Sequence, residues 1–159
     1  MSQRAKDLSR RFERFRDEVI AFVENLSGED WNAVSEWEKW TVGVAARHLG
    51  AGHFGFFKML DMVVQGQELP QMTMDQVNAM SNRDSQEHKD CNKAEALDHL
   101  RKNGAEMAAF IAGLSNDDLD RKGNMPAFGG EISVNQIIDA IVFQSARQHF
   151  DSMKAAVGG

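Results

Sequence analysis

One cysteine, two prolines and no surplus of positive charge set the first limits on this 159-residue chain. With Cys91 alone an intrachain disulfide is impossible, and a reducing cytoplasm is the expected home. The two prolines, with 42% hydrophobic and 26% charged residues, describe an ordinary globular protein and exclude a fibre or a disordered tail. A formal net charge of −6 and a pI near 5.3 leave no positive field for a phosphate backbone, and no aromatic-basic stripe offers stacking for bases. Nucleic acid is therefore not an expected partner. The first residues carry Arg4, Lys6, Asp7, Arg10 and Arg11 in place of the apolar region of a signal peptide. The most apolar stretch, 42–60, is interrupted by Arg47, His48, His53 and Lys58, too many polar groups for a membrane span.

What is present is helical periodicity. The length fits one domain, 1–159, with a core that needs no covalent staple. Leu8, Phe12, Phe15, Val19, Phe22, Val23 and Leu26 recur at three- and four-residue steps and predict a first helix over about 3–26. Residues 27–40 hold Gly28 and three tryptophans without periodicity, a connection whose rings anchor one end of the core. Thr41 is placed to cap a second, largely buried helix running to about Val64, and Gly50, Gly52 and Gly55 leave room within it for close packing or a ligand. A short amphipathic turn over about 74–84 precedes an irregular polar run, 85–92. Asn92 with Glu95 starts a third helix, about 93–114. A long connection over 115–131 leads to Ser133 and Gln136, a capping box for a fourth helix over about 134–156. Four amphipathic segments without an alternating strand pattern predict an all-α protein, an antiparallel four-helix bundle.

Polar residues on core stripes carry the functional signal. Ser145 and His149 occupy stripe positions of the fourth helix where a bundle normally places leucine, and His48 shares its stripe with Ala45, Gly52 and Gly55. Two core-facing histidines from separate helices can meet on a bundle axis and share a metal ion. Their imidazoles are expected within about 10 Å, a helix-packing distance. His53, about 140° around an α-helix from His48, is left outside the site. His88, Asp90 and Cys91 are read as a coincidental cluster in a polar run. A Ser145–His149 nucleophile pair lacks an orienting third residue and an oxyanion-forming turn.

Trp40-Thr41 followed by His48-Leu49, spaced W-T-x6-H-L, resembles the helix-2 signature of the DinB/YfiT-like superfamily. Leu26 to Trp31 resembles its linker, Leu114 to Leu119 its exit from helix 3, and Ser133 to Met153 its last helix, so the resemblance extends over nearly the whole chain. That superfamily includes the mycothiol-dependent maleylpyruvate isomerase domain and bacillithiol transferases. It commonly binds a divalent metal through one helix-2 histidine and two helix-4 ligands four residues apart. The resemblance implies His48 and His149 as ligands of zinc or nickel, a small-molecule ligand, a low-molecular-weight thiol as co-substrate, and a homodimer. Ser145 falls on the middle ligand position, where a neutral hydroxyl is a weaker donor than imidazole or carboxylate. Two functions follow. One is a metal-dependent thiol transferase, isomerase or hydrolase; the other is a non-catalytic dimeric binding or stress-response module with a degraded metal site.

Overall fold

The first helix of the computed structural model, which describes residues 2–158, is α1 (Gln3–Glu24). It is capped by the Ser2 hydroxyl and buries Phe12, Phe15, Val19 and Val23 on the expected stripe. In the connection that follows, Ser27 and Asp30 form a capping box for the short α2 (Gly28–Asn32). The Thr41 hydroxyl accepts from the Val44 N–H and starts α3 (Val42–His48). The helical path then runs through a π-helical turn at Leu49–His53 and a 3₁₀ turn at Phe54–Phe56 into α4 (Phe57–Val64). The second helix was expected to be regular, and these two turns are the correction.

A Thr73–Gln76 capping box opens α5 (Met74–Glu87), which takes up the first residues of the run expected to be irregular. Asn92 caps α6 (Lys93–Ala112) as its sequence predicts. The connection at 115–131 is more structured than periodicity alone implies. It contains α7 (Asn116–Asp120) and an antiparallel hairpin of β1 (Lys122–Met125) and β2 (Gly130–Ser133), with Lys122 opposite Ser133 and Met125 opposite Gly130. Gly129 and Gly130 turn the hairpin with φ of 93° and 111°, a backbone region closed to most side chains. Strands of four residues are too short to show the alternation by which strands are recognised. The Ser133–Gln136 box then opens α8 (Val134–Ile137). A second π-helical segment, Ile138–Ser145, joins it to α9 (Ala146–Ala156).

The fold is all-α apart from that small hairpin. Four long helical paths (α1, α3–α4, α6 and α8–α9) contribute to one cluster of buried apolar side chains. Phe54 meets Phe12 edge-to-face at 5.0 Å between ring centroids, and Phe150 meets Phe15 the same way at 6.0 Å, tying three of these paths together. Burying each such ring contributes about 1.5–3 kcal/mol relative to leaving it in water. Among the described residues no helix is long and apolar enough to cross a membrane.

Candidate functional site

Where α3 and α9 approach one another, three imidazoles converge. The ring centroids of His48 and His149 lie 4.9 Å apart, well within the distance expected for two histidines on facing core stripes. His53, placed elsewhere by α-helical spacing, joins them: its ring is 4.9 Å from His48 and 5.1 Å from His149. One ligand nitrogen from each of the three lies within 4.8 Å of the others, so the group could hold a metal ion.

His53 is at the site because of the π-helical turn. In that turn the Phe54 N–H reaches back to the Leu49 carbonyl, five residues away. The wider turn brings residue i+5 back towards the face of residue i, whereas an α-helix carries it about 140° away. The close approach of α6 fixes the turn: a Cβ on Gly50 would lie 2.8 Å from the Leu100 nitrogen. Asn103 Nδ2 also donates to the Gly50 carbonyl at 2.9 Å. The three glycines were the only sequence signal for this irregularity. Gly52 does border His48, since a Cβ there would stand 3.3 Å from its Cε1, but Gly55 packs against Asn103 instead.

Hydrogen bonds fix the tautomers. A carbonyl can only accept, so at 2.8 Å from the Ile141 oxygen the His53 Nδ1 must carry the proton, leaving its Nε2 as a lone pair. His149 Nδ1 lies 2.7 Å from Glu38 Oε2 and donates to it. His48 Nε2 and His53 Nε2 are 3.2 Å apart. Two nitrogens bound to one tetrahedral zinc at about 2.0–2.1 Å would stand roughly 3.3–3.4 Å apart, so this spacing already suits an ion.

Glu38 was not foreseen. It sits in the loop between α2 and α3, which an isolated bridge between Val34 and Thr41 closes and in which Lys39 adopts a left-handed φ of 63°. Its side chain is only 5% exposed. Besides His149, it accepts from the Ser152 hydroxyl at 2.6 Å and the Ser35 hydroxyl at 2.7 Å. Burial pushes this carboxyl up, but the bonds from His149, Ser152 and Ser35 outweigh burial and hold it below the usual carboxylate range. The same loop carries Trp37 and Trp40. Trp40 stacks on the His149 ring at 5.6 Å and also meets His48 at 5.1 Å, and Trp37 covers His149 at 5.1 Å. Only Trp31 and Trp40 reach the core; Trp37 stays exposed, contrary to its expected anchoring role.

His48 and His53 are held neutral. Burial, reinforced by His53, His149 and Arg47, lowers the His48 pKa to about 2. Burial and His149 lower that of His53 to about 4, against the raising effect of the Ile141 carbonyl. Neutral imidazoles present lone pairs, the form in which histidine binds metals.

The sequence matches the DinB superfamily over residues 11–149. The chain belongs to that superfamily. No curated protein and no solved structure matches it. For this DinB superfamily member, the third imidazole beside His48 and His149 comes from His53. Ser145 lies one turn before His149, half-buried at the end of the second π-helical segment. His88, from the polar run set aside in the sequence, groups instead with Asp84 and Glu87 of α5, and Asp84 is already paired with Arg47 at 3.2 Å.

Proposed function

We propose that the protein is a metal-dependent enzyme acting on a small molecule, with His48, His53 and His149 holding zinc or nickel. The observation that carries this reading is the pairing of each outer nitrogen. His53 and His149 both spend their Nδ1 protons on an acceptor, a carbonyl and a carboxylate, which leaves Nε2 as the nitrogen each could offer to an ion. Metal-binding histidines are oriented in this way by their outer partners. A divalent ion held by His48, His53 and His149 would act as a Lewis acid, polarising a substrate or favouring the anion of a bound thiol. The protein's own residues supply the rest. Glu38 holds the His149 ring and its Nδ1 proton, the Ile141 carbonyl does the same for His53, and Trp37 and Trp40 shield His149 from water.

Thiol transfer, isomerisation and hydrolysis all use such a centre and remain the reaction classes of this proposal. The non-catalytic reading was motivated by the missing imidazole at Ser145; His53 provides an alternative third nitrogen and favours the metal-dependent reading. Metal analysis of untagged protein purified without chelator, paired with melting before and after added zinc or nickel, tests it. Bound ion raises the melting temperature by mass action. Absence of metal together with an unmoved melting temperature would refute the proposal.

A homodimer and a cytoplasmic setting belong to the same proposal. None of the phenylalanines is among the exposed large apolar residues, which are Val34, Trp37, Met74 and Met80. Light scattering at micromolar concentration checks the dimer, and a monomer there would overturn that part.

A further inference from the structure

Next to the histidine cluster, α5 and the hairpin tip enclose a chamber of about 440 Å³ that has His48 and His53 in its wall. Its size falls within the range of small-molecule sites. Met59, Met72, Met80 and Met125 line it with Phe56 and Phe128. Methionine and aromatic walls adapt to apolar ligands of varied shape.

Charge is nearly cancelled inside. Besides the histidines, Arg47 and Asp84 are the ionisable residues of the wall, and they pair with each other at 3.2 Å. Arg47 Nε lies 3.5 Å from Glu95 without a hydrogen bond, and it is buried out of a ligand's reach. In the metal-free protein a ligand bearing carboxylates would lose its hydration here without gaining a free cation. Removing an uncharged apolar molecule from water carries no such penalty and gains the hydrophobic contribution.

We infer that this chamber receives an uncharged, mainly apolar small molecule seated against His48 and His53. Placing that molecule beside a reactive centre rests on the proposed function, whereas the preference of the chamber does not. The test uses metal-free protein, so a failure of metal binding leaves it standing. N-phenyl-1-naphthylamine, an uncharged fluorescent probe, is titrated against 1-anilinonaphthalene-8-sulfonate, which adds a sulfonate to the same skeleton. The uncharged probe should bind at least about tenfold tighter, in keeping with the cost of burying an unpaired charge. Val77→Asp, which places a carboxylate in the wall, should weaken its binding by at least about tenfold for the same reason. Met80 is 52% exposed, so Met80→Glu repeats the test at a position where folding is not at stake. No binding of the uncharged probe, equal or tighter binding of the sulfonate, or unchanged binding in a folded Met80→Glu protein would overturn the inference. Metal content, measured separately on wild type and His53→Ala, reports on the histidines alone.

Discussion

Two kinds of helix make up this molecule, and they divide the work. α1 and α6 run for 22 and 20 residues without interruption. The helical paths 42–64 and 134–156 each contain a π-helical segment and together carry His48, His53 and His149. Regular helices give the core its regular stripes, while the irregular ones place polar side chains where a regular helix would not. The apolar core draws on both kinds, but the three histidines sit on the irregular ones alone, and substitutions can test that difference.

The largest effect on folding should come from the regular side. Phe12 is fully buried against Phe54. Phe12→Ala should cost about 3–5 kcal/mol, seen as a lower denaturant midpoint at constant slope, while the folded fraction keeps its metal stoichiometry. Loss of metal binding in the folded variant would break the division. On the irregular side, His53→Ala should lower zinc or nickel affinity by more than about 100-fold, beyond the 10–100-fold typical of outer partners. An unchanged affinity in a competition titration would remove His53 from the site. Glu38→Gln keeps the shape but weakens the acceptor for His149, and its loss should fall within about 10–100-fold.

Two smaller effects sharpen the contrast. In metal-free protein, His48 and His53 have pKa values near 2 and 4 in the folded state, whereas an unfolded histidine titrates near about 6.5. Below about 6.5 the unfolded chain binds protons that the folded protein refuses, so stability should fall as pH drops from about 6.5 toward 4 and stay flat with respect to these groups above it. In His48→Gln/His53→Gln protein that dependence should shrink; an identical pH profile would show that the two rings do not cause it. Ser145→His should leave metal affinity unchanged, because His53 already provides a third nitrogen. A large gain would restore Ser145 as the vacant ligand position.

The same division explains how much the sequence disclosed. The stripe of α1, the caps at Thr41, Asn92 and Ser133, and the approach of His48 to His149 were all legible, because each follows from α-helical geometry or a local side-chain-to-backbone bond. His53 was misread because its placement depends on a five-residue turn that Leu100 and Asn103 of a different helix help to fix. Glu38 was invisible for a similar reason: two of its partners, His149 and Ser152, lie 111 and 114 residues from it in sequence. The hairpin went unnoticed because its strands are only four residues long.

A π-helical turn is an α-helix that has accepted one additional residue. At Leu49–His53 this makes the regular and the π-turned helix neighbours in gene space, separated by a single codon. Deleting Ala51 would let the path close into a regular α-helix in which the shortened-chain histidine stands four positions after His48, still on its face, with the residues from Phe54 onward close to their present orientation toward α6. Such a lineage could gain or lose the turn itself by insertion or deletion while the histidines keep a common face.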